Sequence, residues 1–268
     1  MHQHKKFILT PVGNILNEGV AAIKCLGDGI ESYPISHYIM QSIFLRMSGA
    51  QEQKMKCIMW ELAHNDFEFR FDFLDKHSKK YFSKYEEKLF VYKTLISQIK
   101  AVEKNFSPYI YLSKLKVLEE TKITIERIFS QSNIKIWFQK DYTSYDVIWN
   151  EFKYKIETKT KKGLKEIKMM FDEDSMFCCN NIEKNKDEKN KNENLKLIYE
   201  EHVYKNRNRI AHNTTSYQDN LPTLSRLESS DYKYENYFLW LSMLILIDNI
   251  FIELYKKYLE VIEKKKIL

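Results

Sequence analysis

From Ile35 the chain places Ile39, Ile43, Met47, Met55, Ile58 and Leu62 along one slowly drifting face. This is the 3.6-residue spacing of a helix rather than the alternation of a strand, so one long helix is expected, with Gly49 the place where it could bend. Pro34 suits the first turn of that helix, and Ser32 stands just before it as a candidate cap. Upstream, apolar spacing predicts a helix over about 14–26 that stops at the GDG turn around Gly27 and Gly29. The opening MHQHKK reads as a solvated terminus in spite of its two histidines. Further amphipathic helices are expected over 67–104, one or two of them before Pro108, and then over 109–130 and 142–170.

NNIEKNKDEKNKNENLK, residues 180–196, has almost no apolar content and no aromatic residue, so it is expected to be a flexible loop over 180–194. Helix resumes at Leu195, runs through LKLIYEEHVYKNRNRIAH and ends near His212. A turn-rich NTTSYQDNLPT follows, then a last helix over about 232–263. Its stretch YFLWLSMLILIDNIFIEL is interrupted by Ser242, Asp248, Asn249 and Glu253, which points to a helix buried on most sides and not to a membrane span. With only 6 glycines and 4 prolines in 268 residues, the expected fold is a single all-α domain.

Composition adds little until the arginines are considered. A net charge of +6 leans weakly toward an anionic partner, because acids and bases together make up 30% of the chain. Nearly all the bases are lysines. Arginine occurs only at Arg46, Arg70, Arg127, Arg207, Arg209 and Arg226, and its planar fork suits phosphate oxygens better than a lysine point charge does. The cysteines Cys25, Cys57, Cys178 and Cys179 lack zinc-site spacing, so no metal or other cofactor is called for and a reducing cytoplasm is the expected setting.

Two of the arginines lie in YKNRNRIAHNTTSY beside a histidine. Arg207 and His212 are five positions apart, which on a continuous helix separates them by about 140°. They converge only if the helix ends between or at them, and Asn213, Thr214 and Thr215 are residues that end helices. The expectation is therefore Arg207 on the last turn and His212 at its lip, facing one enclosed space. An imidazole moves protons near neutral pH and a guanidinium holds phosphate oxygens, and with these two groups RNA can be cut without metal by its own 2′-hydroxyl.

Neighbouring residues carry weaker signals. Arg209, three residues before His212, would share its face and could hold RNA backbone. Tyr217 could stack on an unpaired base. Arg70 and His77 in RFDFLDKH repeat the pairing, but their aromatic flanks look like a packing face. His202, Glu200 and Glu201 read as a solvated helix face. The plainest alternative for the whole cluster is a basic helix end that complements the helix dipole.

RNRIAHN, followed by a polar turn and a long apolar helix, resembles the HEPN superfamily of helical nucleases and nucleotide-binding domains. The resemblance implies a HEPN-like helical bundle with its core at about 35–63 and 195–263, and a long helical insertion at about 67–175. It also implies roles: His212 as acid or base, Arg207 as phosphate binder, and Asn208 as a hydrogen-bonding helper. Such domains pair as homodimers with a composite cleft, and act on RNA, tRNA included, as toxins or antiphage effectors restrained by an antitoxin or regulatory partner. The alternative within the same resemblance is a non-catalytic module that binds a nucleotide or a partner.

Overall fold

The computed structural model describes residues 2–25, 29–77, 82–130, 132–159, 165–177, 195–212 and 230–267. The expected loop at 180–194, Cys178, Cys179 and Tyr217 lie outside them. Helices α1 (His2–Leu9), α2 (Gly13–Lys24) and α3 (Tyr33–Asn65) come first, followed by α4 (Phe67–His77), α5 (Tyr85–Lys100), α6 (Pro108–Lys114), α7 (Val117–Phe129), α8 (Ile134–Trp137) and α9 (Gln139–Glu151). A hairpin of β1 (Lys155–Lys159) and β2 (Lys165–Met169) precedes α10 (Leu195–Ile198), a π-helical stretch (Tyr199–Tyr204), α11 (Lys205–His212) and α12 (Tyr237–Ile267).

Helix α12 has apolar residues on almost every side, so the other elements must surround it. It packs against α1, α3, α5, α7, α9 and the π-helical stretch. By length and composition the span Tyr237–Lys264 could cross a membrane, yet 83% of its most apolar window is buried inside the fold. Phe238 shows how the neighbours close in: its ring meets Phe129 of α7 edge-on at 4.8 Å and Tyr142 of α9 at 5.2 Å. Helices from the stretch 67–175 thus share one continuous core with α3 and α12.

Polar residues cross that core at one level. On α3, Ser48, Gln51 and Lys54 occupy the face where the apolar stripe lapses between Met47 and Met55, and all three are buried. Gln51 Nε2 donates to the Leu244 carbonyl at 2.9 Å, and Lys54 Nζ lies 2.6 Å from Asp248 Oδ1. The second oxygen of Asp248 accepts the Val12 backbone N–H at 2.8 Å, which ties the turn between α1 and α2 to the same point. Burial pushes the Asp248 carboxyl up and the Lys54 ammonium down, each opposed by the other.

Several expectations change. The first residues are helical, anchored by buried Ile8 and by His4, whose Nδ1 lies 3.4 Å from Glu61. Ser32 stands at the N-cap of α3, but its side chain makes no capping bond, and Pro34 is the residue that suits the first turn. Helix α3 runs unbroken past Gly49. The helix expected over 142–170 stops at Glu151, and an antiparallel hairpin follows, pairing Lys155 with Met169 and Lys159 with Lys165. Its β-branched Ile156, Thr158 and Ile167 favour strand over helix. Tyr154, just before β1, fixes the hairpin to α7, because its hydroxyl donates to Glu119 and accepts from the Leu118 N–H at 3.0 Å.

Asp248→Asn should leave Lys54 buried without its counter-charge and cost about 3–5 kcal/mol. The double variant Lys54→Met/Asp248→Leu should recover most of that loss. Urea denaturation of the three proteins checks this, and a double variant as unstable as Asp248→Asn would show that the charge pair is not what the single change disturbs.

Candidate functional site

The segment 195–212 is one continuous helical rod with a π-helical stretch in its middle. A π turn carries an extra residue and shifts the faces beyond it, a feature frequent near functional sites. Leu195, Ile198, Tyr199 and Val203 are buried, and the next residue on that inner side is not apolar but Asn206, only 2% exposed. His202, Asn206 and Arg209 follow at spacings of four and three, so they form one stripe of the rod.

That stripe converges on Glu235, in the link just before α12. Asn206 Nδ2 donates to Glu235 Oε2 at 2.9 Å, Arg209 Nη2 lies 3.8 Å from the same oxygen, and His202 Nδ1 lies 3.5 Å from Oε1. The next residue, Asn236, caps α12 by accepting the Phe238 and Leu239 N–H groups. The motif helix is therefore locked to the start of the central helix. Of the expected surface residues, Glu200 and Glu201 remain outside, whereas His202 packs on the Tyr234 ring at 5.1 Å and Arg209 faces a protein carboxylate.

Arg207 leaves the rod on another side. Its Nη2 bonds Glu52 Oε1 of α3 at 2.7 Å and its Nη1 bonds Asn208 Oδ1 at 2.9 Å, so Asn208 orients the guanidinium while about a quarter of the Arg207 side chain stays exposed. Beside it lies a small cleft, partly open to solvent, lined by Gln51, Glu52, Lys88, Tyr199 and Arg207 among others. Lys88, on α5, is 1% exposed and donates to the Phe82 carbonyl at 3.0 Å. Burial pushes its ammonium down to about 8, opposed by the nearby Glu52 and Glu87 carboxylates. Tyr199 bonds the Ser83 carbonyl at 3.0 Å, and burial raises its phenol well above the ordinary value.

His212 is exposed at the last residue of α11. Because the helix continues through it, Arg207 and His212 point about 140° apart, and the expected convergence inside one chain does not occur. Asn213, Thr214 and Thr215 lie outside the described residues. Arg207 and Asn208 are brought together; His212 stands apart from them, and Arg209 is engaged with Glu235. Elsewhere, Arg70 lies over the Phe67 ring at 5.1 Å, and the expected packing face is only partial: Phe73 is buried, whereas Phe67 and Phe71 are exposed.

The residues not foreseen are Glu52, Lys88 and Glu235. Two of them left a trace in the sequence. Glu52 belongs to the polar lapse in the α3 stripe, and Lys88 occupies a buried position between Tyr85 and Val91 on α5. No known protein family, curated protein or solved structure matches the chain.

Glu235→Ala should remove the shared acceptor of the motif stripe and cost about 1–3 kcal/mol, the penalty for leaving buried polar groups unpaired. Hydrogen exchange should then speed up in 205–212 and at the start of α12 before it changes in α3 or α5. Uniform acceleration across the chain would show that Glu235 does not anchor the motif helix in particular.

Proposed function

We propose that the chain is a metal-independent endoribonuclease of HEPN type, working on RNA as a homodimer. The observation that carries this is the setting of Arg207: a partly exposed guanidinium, oriented by Asn208 at 2.9 Å, on a short helix whose last residue is an exposed histidine. The RNA 2′-hydroxyl attacks the adjacent phosphorus as its proton passes to an imidazole. The P–O5′ bond then breaks as O5′ takes a proton, leaving a 2′,3′-cyclic phosphate and a 5′-hydroxyl. Arg207 neutralises the negative oxygens of the pentacovalent state, where a fixed cation contributes most. Since Arg207 and His212 diverge within one chain, a facing second copy supplies the complementary group, and the active cleft is composite.

Arg209 plays a supporting part in this scheme, holding the motif helix through Glu235 rather than touching RNA first. The role of toxin or antiphage effector, and an antitoxin or regulatory partner to restrain it, follow from the family resemblance of RNRIAHN. The same divergence of Arg207 and His212 favours one second reading, a non-catalytic module that holds a nucleotide phosphate on Arg207 without using His212.

Purified protein in excess EDTA, incubated with total tRNA and with a long unstructured RNA, separates these readings. The nuclease reading expects cleavage with cyclic phosphate ends by the wild type, and a loss of about 100-fold or more in His212→Ala and Arg207→Ala. Intact RNA in all three, with RNA binding lost only in Arg207→Ala, would favour the module.

A further inference from the structure

A buried cation normally carries its counter-charge with it, because desolvating an unpaired ammonium costs several kcal/mol. Lys88 departs from this. Its side chain is 1% exposed, and among the described residues its ammonium bonds the neutral Phe82 carbonyl, lies 6.0 Å from the Tyr199 ring and has no carboxylate within ion-pair distance. The charges that face it come from four elements: Glu52 on α3, Glu87 on its own helix, Arg207 on α11 and Asp248 on α12, the last bonded to Lys54. Two cations, Lys88 and Arg207, thus line one cleft, and Glu52, the acid that lines it with them, is bonded to Arg207.

The lining also holds an acceptor with nothing to accept. Gln51 donates through Nε2 to Leu244, but its Oε1 is buried with no hydrogen-bond partner among the described residues. An unpaired buried amide oxygen costs free energy that a ligand hydroxyl would recover. The cleft therefore offers two cations for an anionic oxygen cluster and one acceptor for an O–H beside it. Phosphate chemistry satisfies both demands, through a protonated phosphate oxygen or a ribose hydroxyl.

We propose that this cleft is a phosphate site in which Lys88 and Arg207 hold the anion between them, and that Glu52 is the internal carboxylate it displaces. The assignment rests on the reading of Arg207 as a phosphate binder, but not on any cleavage by His212. In the free protein Glu52 keeps Arg207 in place and occupied. A phosphate that enters exchanges one carboxylate contact for two cations, and so completes the neutralisation that Lys88 lacks. The donor of the phosphate is either a terminal monoester or an RNA diester, and binding of either one is the same event at Lys88.

Calorimetric titration of the full chain with inorganic phosphate, with 5′-AMP and with a 2′-O-methyl RNA oligonucleotide tests this without any cleavage. Ionic strength is held constant with chloride. Saturable binding is expected in at least one arm: phosphate or AMP alone would identify a terminal monoester, and the oligonucleotide alone a diester. Lys88→Met should abolish it. Should that variant fail to fold, Glu52→Gln decides, because removing the competing carboxylate should tighten binding by about tenfold. For the oligonucleotide, whose diester charge does not change in this range, affinity should also fall as pH rises through about 8, since the bound anion favours the protonated ammonium. No binding in any arm, equal binding in folded Lys88→Met, or binding unchanged or weakened in Glu52→Gln would overturn the proposal. Metal-free RNA cleavage by the wild type would stand unaffected by such a failure.

Discussion

A helix that is apolar on almost every side can be stable in water only when other elements enclose it, and α12 imposes that condition on the rest of the chain. α1, α3, α5, α7 and α9 are arranged as its casing. Apolar packing of this kind does not by itself fix how one helix sits along another, since hydrophobic contact is non-directional. The polar level through Gln51, Lys54 and Asp248 supplies the direction: each of its bonds joins a particular residue of α3, or Val12, to a particular turn of α12. The site follows from this register, because Glu52 is carried on the same turn of α3 as the residues that set it.

The motif helix is held from two sides by two carboxylates with different consequences. Glu235 takes the stripe of His202, Asn206 and Arg209 and couples it to the cap of α12, so this side acts as a fixed mount. Glu52 takes Arg207 through a single guanidinium nitrogen at a partly exposed position. The Arg207 side chain keeps about a quarter of its surface exposed there, so an anionic oxygen can reach the guanidinium beside Glu52. Of the two carboxylates only Glu52 lines the cleft beside Arg207. Beneath it Lys88 adds a second cation whose charge the fold leaves without a carboxylate partner among the described residues.

Much of the architecture could be read from periodicity. The long helix α3, the buried helix α12 and the resumption of helix at Leu195 each announce themselves by a continuous apolar stripe. The hairpin was hidden because its lysines resemble the solvent face of a helix, and only the β-branched alternation between them marks it. The N-terminal helix was hidden for a related reason: its histidines and lysines outweigh the single buried anchor, Ile8. Within the site, Arg207 and Asn208 could be read as a pair because they are adjacent, whereas Glu52 reaches Arg207 from 155 residues away and Glu235 reaches Asn206 from 29. The polar lapse in the α3 stripe marks Glu52 as unusual but does not name its partner, because contacts of that range are made by the packing of distant helices. The expected convergence of Arg207 and His212 failed for a local reason, since the helix retains its geometry through His212.

The central claim is that Arg207 is a phosphate-binding group held in reserve by Glu52. A crystal structure of the protein with a 2′-O-methyl RNA, which binds but cannot supply the attacking hydroxyl, tests it most directly. The account expects a backbone phosphate on the Arg207 guanidinium, with Glu52 withdrawn from it and His212 of a second copy facing the same phosphate. RNA bound elsewhere on the surface, with the 2.7 Å bond between Arg207 and Glu52 intact, would contradict it.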